Sequence, residues 1–279
     1  MSTHPVASAT QLRAENVTLG YDGQDIITDL SLTIPDGQVT SIIGPNGCGK
    51  STLLRGLGRL LAPRSGQVIL DGAPLAAHST RHIATRISVL PQAPTAPSGL
   101  TVADLVSRGR HPRQKWYQQF SATDQTVVEN ALLATDMAQF ANTPLEELSG
   151  GQRQRAWISM TLAQETDILL LDEPTTYLDL AHQVDVLELI HRLNREHGRT
   201  VVMVLHDISL AARYSDHIVA MKNGRIMTQG HPEDVVTAEL LRDVFGLAAH
   251  VVSEPTAGRP HVIPLGTVQA ALAGANRTD

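Results

Sequence analysis

The chain has 279 residues, of which 42% are hydrophobic and 18% charged; this balance is that of a folded globular protein and excludes wholesale disorder. A net charge of −6 gives no general electrostatic reason to bind nucleic acid, and we expect no nucleic-acid partner. The longest apolar runs, such as residues 201–205, are far shorter than the ~20 residues of a membrane helix, and residues 1–16 lack the apolar core of a secretory signal. We therefore expect a soluble, intracellular protein, and its single cysteine excludes an internal disulfide.

Three short stretches near the N-terminus, residues 17–21, 30–34 and 68–70, are predicted to form strands. Asp-Gly pairs at 22–23, 36–37 and 71–72 favour tight turns beside them. This region is therefore predicted to be an antiparallel β subdomain around the first parallel strand.

The most informative stretch follows an apolar strand predicted over residues 39–43. It consists of Gly44, Pro45, Asn46, Gly47, Cys48, Gly49, Lys50 and Ser51, followed by Thr52. The glycine spacing and the Lys50-Ser51 pair are typical of a loop that cradles phosphates at a helix N-terminus, and a helix is predicted over 51–61, stopped by Pro63. We expect these residues to bind a nucleoside triphosphate, with Lys50 reaching the β- and γ-phosphates and Ser51 binding Mg²⁺. A chance glycine-rich turn is the alternative, and Cys48 is interpreted as a small filler residue.

The middle of the chain is predicted to be helical. A strand over residues 87–90 is followed by a proline-rich linker at 91–97. A helical pattern then extends from about 101 to 164, and Thr101 with Asp104 forms a possible capping box at its start.

Strands and helices alternate again in the last part of the chain. The predicted elements are a strand at 168–171, a helix over 181–196, a strand at 200–205, a hairpin with Asn223-Gly224 at its turn, two short helices, a weak hairpin and a mobile tail over 267–279. With the strand at 39–43, they predict an α/β fold.

Polar residues follow two of these strands at the point where each strand ends. Because ligands collect at the carboxyl ends of parallel strands, we expect Asp172, Glu173 and His206 to meet the phosphate loop. Asp172 is predicted to hold Mg²⁺, Glu173 to deprotonate the attacking water, and His206 to contact that water and the γ-phosphate. A solvated acidic turn and a structural histidine are the alternatives.

A second glycine pair begins another predicted helix. Ser149, Gly150, Gly151 and Gln152 fit a capping box, but two glycines in the first turn of a helix are poor helix formers and are badly explained by capping alone. Together with the other motifs, in the same order, this signature stretch makes residues 11–247 resemble the nucleotide-binding subunit of an ATP-binding cassette (ABC) transporter.

The resemblance implies a fold class and a domain plan. The fold is a P-loop NTPase (RecA-like) parallel-sheet core with an N-terminal antiparallel β subdomain and an inserted α-helical subdomain at about 99–165. An ABC ATPase domain over 11–247 and a C-terminal extension over 248–279 follow from it.

The resemblance also implies further site residues. Tyr21 is the aromatic that stacks on adenine, and Gln92 senses the γ-phosphate and touches Mg²⁺ and the attacking water. The signature residues Ser149 to Gln152 bind the ATP held by a second copy of the chain, and Asp179 lies in the loop that crosses the dimer interface. ATP favours the closed dimer because it contacts both chains, whereas ADP leaves the second contact unmade.

Two local features are similar to the branch of importers for ferric siderophores, haem and cobalamin. Thr176, next to Tyr177, stands where serine is usual, and residues 106–112 resemble the Gly-Arg-aromatic-Pro stretch of the siderophore branch, with His111 at the aromatic position. The basic segment of residues 106–112, together with Arg113, Lys115 and Trp116, is either a docking surface for the permease or a solvated helix end.

This resemblance implies a peripheral ATPase at the cytoplasmic face of the cell membrane. Its partners are a second copy, integral membrane permease subunits and, indirectly, an extracytoplasmic solute-binding protein. We expect an importer of iron–siderophore complexes. Haem or cobalamin import and a soluble, non-transport ABC ATPase stay open as alternatives, and a nucleotide kinase is disfavoured because it has no use for the signature stretch.

Overall fold

The structure, a computed structural model, describes residues 11–114, 120–176 and 178–268. Its strands are β1 (Leu12–Tyr21), β2 (Gln24–Ile34), β3 (Val39–Ile43), β4 (Ser65–Leu70), β5 (Ala73–Pro74), β6 (Ile87–Leu90), β7 (Ile168–Asp172), β8 (Thr200–Val204), β9 (His217–Lys222), β10 (Arg225–Gly230), β11 (Leu247–Ser253) and β12 (Pro260–Thr267). Its α-helices are α1 (Lys50–Leu57), α2 (Thr80–Arg86), α3 (Val102–Arg108), α4 (Ala122–Ala134), α5 (Gly150–Ala163), α6 (Leu180–His197), α7 (Ile208–Tyr214), α8 (Pro232–Val235) and α9 (Ala238–Phe245). The predicted α/β class is confirmed.

A six-stranded sheet of order β10-β9-β3-β8-β7-β6 forms the centre of the molecule. β3, β6, β7, β8 and β9 are parallel to one another, and β10 pairs antiparallel with β9 at the edge. β3, β7 and β8 are buried along their whole length, as expected of short apolar strands covered on both faces. Side chains that alternate along β7 enter two different hydrophobic cores. Leu169 and Leu171 belong to the first core, and Ile168 and Leu170 belong to the second.

The second core lies between the parallel sheet and a four-stranded antiparallel sheet of order β2-β1-β4-β5. Helix α1 contributes Leu53, Leu54 and Leu57 to it, all fully buried. The predicted Asp22-Gly23 and Asp71-Gly72 turns have positive φ at both residues, which matches the two-residue turns of hairpins. The antiparallel N-terminal sheet is as predicted, but β1 begins at Leu12 rather than at residue 17.

Helix α1 ends earlier than predicted. Its C-cap is Gly58, and Arg59 adopts a left-handed φ of 57°, so the chain leaves the helix after Leu57 instead of continuing to residue 61 before Pro63. The left-handed conformation of Arg59, not the later proline, ends the helix.

The segment between β6 and β7 carries α3, α4 and α5, as predicted for the helical insertion. α3 begins with the predicted capping box of Thr101 and Asp104, and α4 begins with a second box made by Ser121 and Asp124. Arg110 differs from its interpretation as a docking charge: it is only 4% exposed and bonds Asp124, Glu165 and the Ala163 carbonyl. Three acceptors from other segments draw its guanidinium inward. Lys115 and Trp116 lie outside the described residues.

The chain after α9 folds as the β11–β12 hairpin, which packs on α7 and α9. The Val262 amide donates to Ser209 Oγ at 3.0 Å, and Arg259 pairs with Glu233 at 2.8 Å. Of the predicted mobile tail, Thr267 ends β12, and residues 269–279 lie outside the described part. None of the helices in the described ranges is both long and apolar enough to cross a membrane.

Candidate functional site

The carboxyl ends of four parallel strands reach the same edge of the sheet. Leu90 pairs with Leu171, Asp172 with Val204, and Val204 with Ile42. The residues one or two positions beyond these pairs therefore emerge side by side. They are Gln92, Glu173, Leu205, His206 and Gly44.

The predicted phosphate loop joins β3 to α1. Gly49 is the N-cap of α1 with a left-handed φ of 104°, so the first backbone N–H groups of the helix lie at the end of the loop. Gly47, with φ 75°, has no atom within 4 Å of the place where a Cβ would stand, so the loop backbone there borders open space. Lys50 is 5% exposed, and its ammonium donates to the carbonyls of Gly44 and Pro45 at 2.9 and 3.0 Å. This loop presents N–H groups and a held cation to an anion.

Asp172, at the end of β7, faces the start of α1. The Ser51 hydroxyl donates to its Oδ1 at 2.7 Å. Burial raises the pKa of Asp172 and the nearby Glu173 charge raises it further, while the Ser51 hydrogen bond acts in the opposite direction. A hydroxyl and a carboxylate held together are hard oxygen ligands of the kind that Mg²⁺ prefers, so the residues fit this ion.

Glu173 is held by three side chains. Its Oε2 accepts hydrogen bonds from Gln92 at 2.6 Å and from Thr176 at 2.9 Å, and its Oε1 lies 2.7 Å from His206 Nε2. Burial by itself raises the pKa of Glu173, but the Thr176 and His206 contacts outweigh it and hold the pKa below its ordinary value. Glu173 therefore stays ionised at neutral pH, in a backbone conformation with φ 52° that aims it into this cluster.

An open cleft of about 390 Å³ connects the loop with this cluster. Its lining residues are Ile26, Asn46, Gly47, Gly49, Lys50, Ser51, Thr52, Gln92, Glu173 and His206. Most of the residues predicted to bind and hydrolyse the nucleotide within one chain thus line the same cleft. Ile26 and the Thr176 bond to Glu173 were not predicted: Ile26 shows no motif, whereas the three-residue spacing of Glu173 and Thr176 is a signal that could have been used.

Five residues predicted for this site are not among the described residues that line the cleft: Tyr21, Gly44, Pro45, Cys48 and Asp172. Cys48 is buried under the loop, where burial raises its thiol pKa, which fits its interpretation as a filler residue. Tyr21 is 38% exposed at the end of β1, and its hydroxyl accepts a hydrogen bond from Arg55 at 3.2 Å.

The signature residues and Asp179 form a different surface, which we call the signature face. Ser149 caps α5, and the Ser149 amide donates a hydrogen bond to Gln152 Oε1 at 3.0 Å, which completes the capping box. Asp179 caps α6 and accepts from the His182 amide at 3.0 Å; hydrogen bonds from His182 hold its pKa below the ordinary value. Neither residue is among the described residues that line the cleft of the same chain.

Comparison with known proteins identifies the chain's relatives. Residues 27–176 match the family model described as ABC transporter. The chain is 52% identical to the petrobactin import ATP-binding protein FpuD of Bacillus anthracis, over 91% of this chain and 93% of that protein. It is 49% identical to the ferric enterobactin transport ATP-binding protein FepC of Escherichia coli, over 93% and 96%.

A solved structure is similar over most of the chain. The ATP-binding cassette MJ0796, a post-hydrolysis dimer bound to ADP and Pi, has a TM-score of 0.69 and 28% identity, over 79% of this chain and 98% of that one. These comparisons confirm the predicted resemblance, including its siderophore branch, and the P-loop NTPase fold. The chain belongs to the ABC transporter family, as one of its nucleotide-binding ATPase subunits.

Proposed function

We propose that this chain hydrolyses ATP to energise the import of iron–siderophore complexes through a separate membrane permease. The observation that carries the ATPase part is the Glu173 carboxylate, held by Gln92, Thr176 and His206 beside the phosphate loop. The identity of 49–52% with import proteins named for ferric enterobactin and petrobactin supports the solute.

The phosphate loop, residues 44–52, holds the triphosphate. Its backbone N–H groups and the α1 N-terminus face the phosphate oxygens, and Lys50 exchanges its carbonyl partners for the β- and γ-phosphates. Tyr21 stacks on the adenine ring. The proposed ATPase domain covers 11–247, with its helical subdomain at about 99–165 and an extension from 248.

Ser51, Asp172 and Gln92 are the residues that would hold Mg²⁺. The Ser51 hydroxyl and Asp172 Oδ1 already lie 2.7 Å apart, and Gln92 lines the same cleft as Ser51 and bonds Glu173. Bound there, the ion supplies positive charge against the phosphate oxygens.

Glu173 acts as the general base. It takes a proton from the attacking water onto a carboxylate oxygen, while the water oxygen attacks the γ-phosphorus and the bond to the β-phosphate oxygen breaks, leaving ADP and phosphate. Its depressed pKa keeps it ready to accept the proton at neutral pH. His206 and Gln92 hold the carboxylate from two sides and orient the water and the γ-phosphate.

The signature face completes the site of a second copy of the chain. Ser149, Gly150, Gly151 and Gln152 contact the triphosphate bound by that copy, and Asp179 lies between the copies. Ser149, Gly150 and Asp179 are exposed, and none of the five residues is among the described residues that line the cleft of their own chain, which supports this assignment. ATP stabilises the closed dimer because it binds both surfaces, and hydrolysis removes that difference in affinity.

The permease places the chain at the cytoplasmic face of the membrane, as a peripheral subunit. Its docking surface includes His111 and the loop up to Gln114, which Arg81 ties to α2 by hydrogen bonds to the Pro112 and Gln114 carbonyls at 3.0 and 2.8 Å. The solute-binding protein delivers solute to the permease on the far side, and nucleic acid has no part in this cycle.

Growth of a deletion strain tests the solute. A strain without this chain is expected to lose growth when a ferric siderophore is its iron source, and to keep the use of haem and of cobalamin. The wild-type gene should restore growth, and a Lys50→Ala gene should not. If the strain lost the use of haem or cobalamin and kept the use of ferric siderophores, the solute would be haem or cobalamin instead.

Purification from membranes tests the class of machine. An integral membrane partner is expected to co-purify with the tagged chain in mild detergent. Association with ribosomes and no membrane partner would overturn the transporter assignment in favour of a non-transport ABC ATPase.

A further inference from the structure

One imidazole ring joins the two parts of the signature face. Nδ1 of His182, in the first turn of α6, lies 2.7 Å from Oδ1 of Asp179. The other edge of the ring lies against the start of α5: a methyl group placed on Gly151 would stand 2.7 Å from Cδ2 and 3.2 Å from Cγ of His182. The ring therefore bridges helices that begin 30 residues apart in sequence, at Gly150 and Leu180.

A side chain at residue 151 would meet the His182 ring. Gly151 lies within the first turn of α5 and does not have the left-handed φ that favours glycine. A Cβ at its neighbour Gly150 would be 3.8 Å from the closest atom, Leu178 Cδ2, which is ordinary contact. The space that a Cβ of residue 151 would need is thus occupied by the His182 ring, whereas the space beside Gly150 is free.

The hydrogen bond fixes the orientation of the ring. The low pKa of Asp179, caused first by the His182 amide and then by its ring, keeps the carboxylate ionised. An ionised carboxylate only accepts, so Nδ1 must carry the proton and donate it. Asp179 also accepts from the His182 amide, so backbone and ring hold the same oxygen.

We propose that His182 is a positioning residue that fastens Asp179 to the signature helix, so that both meet the opposite protomer as one preformed surface. This inference rests on the proposed dimer function. A surface that is already ordered loses less conformational entropy on closing than two independent segments would, so the ATP-bound dimer forms at lower protein concentration.

The contact itself is tested without ATP, by the stability of Gly150→Ala, Gly151→Ala, His182→Ala and the Gly151→Ala/His182→Ala double variant. Alanine is a better helix former than glycine, so Gly150→Ala should leave the unfolding midpoint unchanged or raise it. Gly151→Ala should lower it, and Gly151→Ala combined with His182→Ala should recover that loss. An equal effect of Gly151→Ala with and without His182 would overturn the proposed contact.

The positioning role is tested by ATP-dependent dimerisation in the Glu173→Gln background. His182→Ala should raise the dimer dissociation constant on the order of tenfold, with unchanged ATP binding by the monomer. His182→Asn, whose amide nitrogen replaces Nδ1, should restore most of the lost dimer affinity. His197→Ala, at the other end of α6, is the matched control and should have no effect.

The two proposals fail in different ways. If Glu173→Gln does not dimerise with ATP at all, the proposed dimer function is wrong. The unfolding midpoints of the Gly151 and His182 variants still test the contact in that case. If it dimerises and His182→Ala dimerises equally well, the dimer function survives and the positioning role of His182 is wrong.

Discussion

The cluster at the sheet edge and the signature face carry motif residues of the same family, but they are built differently. Glu173 has a side chain that is 9% exposed and is fixed by partners from three segments of the chain. Asp179 is 68% exposed, and its described hydrogen bonds come from the first turn of its own helix. The side chains of the first region are fixed within one chain, whereas the second region is exposed and is proposed to meet a second copy.

The difference follows from the elements that carry each region, the edge of the parallel sheet for the first and helix N-termini for the second. The parallel register brings Gln92, Glu173 and His206 to one edge, so contacts within a monomer can hold the pKa of Glu173, the proposed base, below its ordinary value. The first N–H groups of a helix have no partner within the helix, and in the proposed dimer those of the signature helix meet the phosphates bound by a second copy. Variants in the first region should therefore affect chemistry, and variants in the second should affect association.

The largest effect is expected from Glu173→Gln. An amide cannot take the proton of the attacking water, so ATP turnover should fall by about 10²–10⁴-fold while ATP binding remains. Steady-state phosphate release and equilibrium nucleotide titration measure the two separately. Glu129→Gln, on the exposed side of α4, is the control and should hydrolyse normally. Near-normal turnover of Glu173→Gln would remove Glu173 as the base.

Lys50→Ala should weaken nucleotide binding itself. A hydrogen bond to a charged group contributes about 1.5–3 kcal/mol, so the dissociation constant for ATP should rise by roughly 10- to 100-fold. Titration with a fluorescent ATP analogue measures it. Lys222→Ala, whose ammonium bonds the Asp243 carbonyl instead, should bind ATP like the wild type. Unchanged affinity of Lys50→Ala would contradict the assignment of the phosphate loop.

Ser149→Ala and Ser121→Ala sharpen the comparison, because each removes the same kind of capping box. Both should lower the free energy of unfolding by about 1 kcal/mol. In the Glu173→Gln background, only Ser149→Ala should also weaken ATP-dependent dimerisation, measured by sedimentation. Equal dimerisation of both variants would mean that Ser149 does no more than cap its helix.

The smallest expected effect is a change in pH dependence. Thr176→Val removes a hydroxyl that lowers the pKa of Glu173, so that pKa rises. The base works only when ionised, and turnover falls as the pH drops through its pKa, so the acid limb of the pH–rate profile should move to higher pH. Thr176→Ser keeps the donor and should keep the wild-type profile. An unmoved acid limb in Thr176→Val would exclude this contact as a determinant of the pKa.

The sequence predicted what local patterns encode. β3 and β7 are continuous apolar runs followed at once by polar motif residues, so the strands and the edge of the sheet that carries the site followed from spacing alone. The predicted end of α1 was wrong because the chain leaves the helix through a left-handed conformation at Arg59, four residues before Pro63.

Contacts between distant segments were beyond the reach of these patterns. Arg110 looks like a surface charge in sequence, but its partners, Asp124 and Glu165, stand 14 and 55 residues away. The His182 ring against Gly151 is similar, because each residue belongs to a motif or helix that is complete without the other. Both contacts depend on tertiary packing, which the periodicity of the sequence does not predict.

Sedimentation of Glu173→Gln with ATP tests the central claim most directly. If one chain's cleft is completed by the other chain's signature face, this variant should be a dimer with two bound ATP molecules, and a monomer with ADP. Adding Ser149→Arg to the same chain should leave ATP bound to monomers. A dimer that persists with ADP and with Ser149→Arg, or a monomer in all three samples, would contradict the account.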